Sequence, residues 1–240
     1  MFLDSKLGKV SINHTDVGSD SVVILGHGYL SNKNSRTGKA LSKCLNENGI
    51  STITYDLYGH GESEGDIEHL TVSKAVETLL SVYDFAQTRY KKIGLVGSSF
   101  TGSISLICAS KKHPDVIALK CPVFSSNELW DWRLNESGVA KWKKEGYLKL
   151  FSKRWSYDVY EDAMTYNMRE IASKIKSPTI VVHGDQDVTV PMSQAENIAF
   201  SVKGEKRLVV IKGADHFFKE EKQFSIVVDT MCSWLCDYLS

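Results

Sequence analysis

A chain of 240 residues, 42% of them hydrophobic, is long enough to close one well-filled core, and single α/β domains of this size are common. Its 29 basic and 29 acidic side chains cancel, which argues against a nucleic acid or an acidic polymer as partner. No apolar run reaches membrane-spanning length, residues 1–20 lack the apolar segment and basic flank of a signal peptide, and the five cysteines, odd in number and at no zinc spacing, read as free buried thiols of a reducing compartment, the cytoplasm.

In chain order, the turn-rich residues 1–20 predict a small antiparallel hairpin at a sheet edge. Ser21–Leu25 is a buried strand that runs into Gly26-His27-Gly28-Tyr29-Leu30. Glycines there let the chain turn and present its N–H groups. His27 in such a loop reads as a structural hydrogen-bonder, and the chemistry on offer is the main-chain N–H of Tyr29. Thr37–Asn48 places Ala40, Leu41, Cys44 and Leu45 on one helical face, with Gly49 as C-terminal cap. Ile50–Tyr55 is the next strand. The glycine-laced Asp56–Ser63 follows, and its His60 is likewise assigned to loop shape. Thr71–Thr88 is a long helix with Ala75, Val76, Leu79, Leu80, Val82, Tyr83 and Phe85 inward.

Ile93–Val96 is a short apolar strand and Ile104–Ala109 suits a buried helix. Between them lies Gly97-Ser98-Ser99-Phe100-Thr101-Gly102. A strand that breaks into a helix through Gly-x-Ser-x-small lifts the serine onto a sharp, strained turn, with backbone donors and a helix N-terminus beside it. The backbone crowds itself two residues before and after the serine. For Ser99 these neighbours are Gly97 and Thr101; for Ser98 they would be Val96 and Phe100. The frame therefore selects Ser99. Thr101 stands where a smaller residue is usual, and its branched side chain is expected to open the turn, with Gly102 relieving it.

Val116–Cys121 is another buried strand, ended by Pro122. The texture then changes. Residues 124–176 hold four of the five tryptophans, Trp130, Trp132, Trp142 and Trp155, with many charges and little long-range periodicity. Gly146–Phe151 and Trp155–Tyr160 alternate like a hairpin, and Ala163–Ile175 reads as a helix. This segment reads as a cap inserted between core segments 1–123 and 177–240; the competing reading is a second helical layer. Trp130, Trp132 and Trp155 flank the hairpin and its entry and are the candidate pocket walls, whereas Trp142, among lysines, is assigned to solvent. Strands at Thr179–His183 and Lys206–Ile211 and helices at Ser193–Phe200 and Phe224–Leu239 complete the chain. The alternation predicts an α/β fold, a mostly parallel sheet with helices on both faces, with functional groups at the carboxyl ends of its strands.

Ser99, an acid near position 187 and His216 each follow a predicted strand, in the order nucleophile, acid, base. The loops that carry them resemble the α/β-hydrolase superfamily, in the branch of serine-aminopeptidase-like hydrolases, monoacylglycerol lipases and cinnamoyl (feruloyl) esterases. The matching stretches are His27-Gly28-Tyr29, Asp56–Ser63, Gly97–Gly102, His183–Pro191 and Gly213-Ala214-Asp215-His216. The resemblance spans roughly residues 21–240 and is weakest over the insert, although a hairpin near 146–160 is similar to that of the cinnamoyl esterases. It implies that Asp187, not Asp185, is the orienting acid, that Asp215 is structural, and that the N–H groups of Tyr29 and Phe100 form the oxyanion hole. Ser98 departs from the family, which commonly has His there.

The expected activity is hydrolysis of small to medium acyl or aryl esters through an acyl-enzyme, needing no metal and no organic cofactor. The partner is a small-molecule ester, without nucleic acid or membrane insertion, and a homodimer is left open. The alternatives are an acyl thioesterase or acyltransferase, an aminopeptidase-like amidase, and a member that binds a ligand without turnover.

Overall fold

The computed structural model describes residues 1–150 and 153–240. Two strands, β1 (Phe2–Ser5) and β2 (Gly8–Thr15), pair antiparallel at one edge, Leu3 opposite Val10. β2 runs antiparallel to β4 (Ser51–Tyr55). From there the strands are parallel: β4, β3 (Ser21–Leu25), β5 (Lys92–Ser98), β6 (Val116–Lys120), β9 (Thr179–Gly184) and β10 (Lys206–Ile211). Their β-branched runs suit a sheet covered on both sides, since successive side chains face opposite layers. Val22 and Ile24 of β3 enter one core layer and Val23 and Leu25 the other. Ile117 and Leu119 of β6 separate from Val116 and Ala118 in the same way.

Helices α1 (Arg36–Glu47) and α8 (Glu221–Leu239) cover one face. The other face carries α2 (Val72–Gln87), α3 (Thr101–Lys112), α6 (Met168–Ser173) and α7 (Met192–Ser201). Ser35 caps α1 by accepting from Gly38 N, and Thr71 caps α2 by accepting from Lys74 N. The expectation of five free thiols is corrected. Cys44 of α1 and Cys232 of α8 form a disulfide, while Cys108, Cys121 and Cys236 are free. The two residues meet because α1 and α8, at opposite ends of the chain, pack side by side. The bond removes the cysteine argument for a reducing compartment. No helix of the described residues is long and apolar enough to cross a membrane.

After β6 the chain forms α4 (Ser126–Glu145), a hairpin of β7 (Tyr147–Leu150) and β8 (Lys153–Ser156), and α5 (Asp158–Met164) before α6. The 20-residue α4 is absent from the sequence reading. It is bent at Asn135, whose φ of 54° is non-helical. The bend rotates the inward face, so no single 3.6-residue period runs through the segment. Trp155 and Ser156 are in β8, but Val159 and Tyr160 belong to α5, which corrects the strand expected over Trp155–Tyr160. The helix expected over Ala163–Ile175 is interrupted, and Asn167 caps the second piece through Glu170 N. Phe151, the end of the other expected strand, lies outside the described residues.

Trp130, Trp142, Trp155, Val159 and Tyr160 make a small separate core. The solvent-facing assignment of Trp142 is corrected: it is fully buried, its Nε1–H donates to the Trp155 carbonyl at 2.9 Å, and its ring meets Trp130 at 5.0 Å. The lysines around it are exposed while the ring points inward. By contrast α6 packs with α3 and α7 and buries Met168 and Ala172 in the main core.

Candidate active site

At the carboxyl end of β5 the chain turns into α3 through Ser99, whose φ is 53°. A non-glycine residue in the left-handed region is strained and persists only where its surroundings hold it. Here they do. Ser99 N donates to Lys120 O at 3.0 Å, and its carbonyl accepts from Gly102 N at 2.8 Å and Val123 N at 2.9 Å. A Cβ on Gly97 would stand 2.6 Å from the Thr101 carbonyl oxygen, so only glycine fits. Thr101 is fully buried and closes the turn. Its Oγ1 accepts from Ser98 N at 2.8 Å and donates to Ser98 O at 3.0 Å. Gly102 serves a different contact from the one expected, since a Cβ there would collide with Pro122 at 2.4 Å.

His216 follows β10. Its Nε2 lies 3.1 Å from Ser99 Oγ, and its Nδ1 lies 2.6 Å from Asp187 Oδ2. The other oxygen of Asp187 accepts from Thr189 N and Val190 N, each at 2.8 Å. Burial opposes ionisation of Asp187, but the bond and charge of His216 and the two amides outweigh it, holding the carboxyl below its ordinary pKa. His183 Nε2 is 3.4 Å from the same carboxylate. It is not a charged partner, because burial pushes its pKa down, and it meets the Val190 carbonyl at 3.0 Å. Asp185 is turned away and accepts from Gly213 N at 2.6 Å. Asp215 pairs with Lys219 at 3.0 Å.

The Gly26–Leu30 loop lies against the elbow, and a Cβ on Gly28 would sit 3.5 Å from Ser99 Cβ. Among the described residues, the Tyr29 and Phe100 amides donate to no protein acceptor. His27 holds the loop: its Nδ1–H donates to Gly28 O at 2.7 Å and its Nε2 accepts from Leu57 N at 3.1 Å. Accepting from Leu57 N needs an unprotonated Nε2, hence the neutral ring, and burial lowers its pKa to about 4. His60 Nδ1 meets the Tyr58 carbonyl at 3.0 Å. A buried pair, Lys33 with Asp56 at 2.7 Å, ties the loop's far end to the Asp56–Ser63 turn.

A cavity of about 610 Å³ opens on Ser99 and His216, with Tyr29, Trp130, Trp155 and Val159 in its walls. Trp155 stacks on Tyr29 with centroids 3.5 Å apart. Of the three expected pocket tryptophans, Trp130 and Trp155 line the cavity. Trp132 does not; it is 54% exposed, on the outer face of α4, and its assignment is corrected. Two lining residues that the sequence reading missed are Lys120 and Arg133. Cys121, Asp187 and His216 offer metal-ligand atoms within 4.8 Å of one another, but the His216 and Asp187 atoms are already bonded together.

Comparison with known proteins extends these observations. The chain is 26% identical over 233 residues to the rat (Rattus norvegicus) palmitoyl-protein thioesterase ABHD10, mitochondrial, covering 89% of this chain and 75% of that one. It superposes with a TM-score of 0.88 on ferulic acid-bound Est1E from Butyrivibrio proteoclasticus, at 21% identity over 99% of this chain and 98% of that one. The mouse alpha/beta hydrolase domain-containing protein 10 gives 0.87 at 22% identity, over 100% and 99%. These likenesses carry the fold, the α/β-hydrolase fold. Residues 12–117 match an acyl transferase family, a minority of the chain. Residues 65–240, from the turn before α2 onward, match the prolyl oligopeptidase family, and the chain belongs to that family, a hydrolase of α/β fold.

Proposed function

We propose that the chain is a serine hydrolase that cleaves carboxylic esters through an acyl-enzyme. The observation that carries this reading is the unbroken relay from Ser99 Oγ through His216 to Asp187, at 3.1 and 2.6 Å, on a strained elbow facing an apolar cavity. In the first half-reaction Ser99 Oγ attacks the ester carbonyl and His216 Nε2 takes its proton. The carbonyl oxygen becomes an oxyanion and accepts from the Phe100 and Tyr29 amides; each such donor lowers a barrier of this kind by about 3–4 kcal/mol. The intermediate collapses, the alcohol leaves with the proton from His216, and the acyl group stays on Ser99. Water then attacks the acyl-enzyme by the same route, releasing the acid and restoring Ser99. Asp187, an anion throughout, holds the imidazole tautomer and stabilises the positive charge that forms on His216.

A thioester is the second reading, favoured by the 26% identity to a palmitoyl-protein thioesterase; the same steps then release a thiol. Ser99→Ala should abolish both turnover and fluorophosphonate labelling of a folded protein, while Ser98→Ala retains most activity. Labelling that persists in folded Ser99→Ala would sink the nucleophile assignment. Esters, thioesters and aminoacyl amides run side by side would rank the readings, and an amide optimum would displace the ester proposal.

A further inference from the structure

The cavity over Ser99 carries a charge that ester cleavage does not itself require. Arg36, Lys120, Arg133 and Lys219 all line it, and the described lining residues include no aspartate or glutamate. Two of these cations have carboxylate partners, Arg36 with Glu221 at 2.7 Å and Lys219 with Asp215 at 3.0 Å. Lys120 and Arg133 are held by carbonyls instead. Lys120, only 6% exposed, donates from Nζ to His216 O at 3.2 Å and lies over the Phe218 ring. Arg133 donates from Nη2 to Thr189 O at 2.9 Å, its one hydrogen bond among the described residues, which use only part of its fork. Burying an ammonium is costly and depresses its pKa; the charges of Asp187 and Asp215 oppose this, but among the described residues no carboxylate comes within ion-pair distance of Lys120. A third donor borders the same space: the buried Ser126 Oγ has no partner among the described residues. Ser126, Leu129, Trp130 and Arg133 follow one another at helical spacing along α4, which places the hydroxyl and the guanidinium on one face, two turns apart.

Each of the four cations is also bonded to a loop that carries a member of the relay. Lys120 is bonded to His216, Arg36 to the Phe218 carbonyl, Lys219 to Asp215 and Arg133 to Thr189. All four are therefore tied to the loops of His216 and Asp187, whereas the Tyr29–Trp155 stack belongs to the oxyanion-loop side. His216 Nε2 must hand its proton to the departing atom, so the leaving group occupies the His216 side. We propose that Lys120, Ser126 and Arg133 form an anion subsite for the leaving group, and that the substrate is an ester or thioester whose alcohol or thiol part bears a carboxylate or a phosphate. This rests on the hydrolase reading above. A fixed arginine fork suits either oxyanion.

The test compares butyrate esters of 3-hydroxybenzoate, 3-hydroxyphenyl phosphate, 3-hydroxybenzamide and a 3-hydroxyphenyl trimethylammonium salt. Each kcat/KM is divided by the hydroxide-catalysed rate, so that leaving-group reactivity cancels. Phenyl esters of succinate and succinamate put the same choice on the acyl side. The anionic leaving groups should be favoured over the carboxamide by about tenfold or more, the trimethylammonium ester should be disfavoured, and succinate should gain nothing over succinamate. The order of the carboxylate and phosphate esters identifies the headgroup. Raising the ionic strength should shrink the preference. Arg133→Gln and Lys120→Met should each reduce the carboxylate-to-carboxamide ratio by about fivefold; Arg133 is only half-buried, so its variant still reports if Lys120→Met does not fold. A ratio near one with esters that are turned over, or a ratio unmoved by Arg133→Gln, overturns the subsite. Preference for succinate over succinamate in its place overturns the assignment to the leaving group. Absence of all turnover and of fluorophosphonate labelling overturns the hydrolase reading instead.

Discussion

At the scale of single residues, the acid is the sharpest test of the relay. Asp187 and Asp185 lie two positions apart after β9, yet one meets His216 at 2.6 Å and the other caps Gly213 N. Asp187→Asn keeps the size but can no longer hold the required tautomer, and kcat should fall on the order of 10⁴-fold. Asp185→Asn retains an acceptor oxygen for Gly213 and should cost far less. Steady-state kinetics on an activated ester decides, and the reverse ranking would contradict the relay. The position of Ser99 was legible because glycine at 97 leaves one serine with room to turn. Thr101 was harder to read. Its branching suggested an opened elbow, but its hydroxyl exchanges two bonds with Ser98 and holds the turn shut. Lys120 was not legible as a cavity residue, since a lysine closing an apolar run looks like an ordinary solvent-facing strand end.

At the scale of elements, the sheet was readable and the segment after β6 was only partly so. Strands such as β3 and β6 are built on four consecutive apolar residues, Val22–Leu25 and Val116–Leu119, a pattern that suits a doubly covered sheet. In α4 the bend at Asn135 joins two helices with different inward faces, and the lysines beside Trp142 hid which way its ring points. The two halves of the tryptophan cluster make different predictions. Trp142 is buried away from the cavity, so Trp142→Ala should destabilise the fold by about 3–5 kcal/mol and change all substrates by a common factor. Trp155 lines the cavity, so Trp155→Ala should in addition alter kcat/KM unequally along an ester series, by about 1–3 kcal/mol between best and worst. Thermal unfolding and a substrate series measure the two effects. Uniform losses in both variants would make the segment a structural layer with no part in selection.

At the scale of the whole molecule, stability should depend on pH through buried histidines. His27 has its pKa lowered from 6.5 to about 4, and burial lowers those of His60 and His183 as well. As pH falls the unfolded chain takes up these protons first, so the stabilisation is complete above about pH 6.5 and drains away toward pH 4. For His27 alone the loss by pH 5 is on the order of 2 kcal/mol. Urea unfolding at pH 7 and pH 5 should show it, and His27→Gln should flatten the slope; equal stability at both pH values would refute the prediction. The disulfide acts at the same scale. Cys44→Ser, or reductant on the wild type, should lower stability by about 2–4 kcal/mol, read as a drop in Tm of several degrees; an unchanged Tm would remove the bond from the account of stability. Its span has one more consequence. Cys44 and Cys232 are 188 positions apart, so Ser99, Asp187 and His216 all sit on one covalent ring. A protease that cuts this ring once, at any point, produces two polypeptides but releases neither: the nicked protein migrates as one species until reductant is added, and the piece bearing Ser99 stays leashed to the piece bearing His216 wherever the cut falls between them.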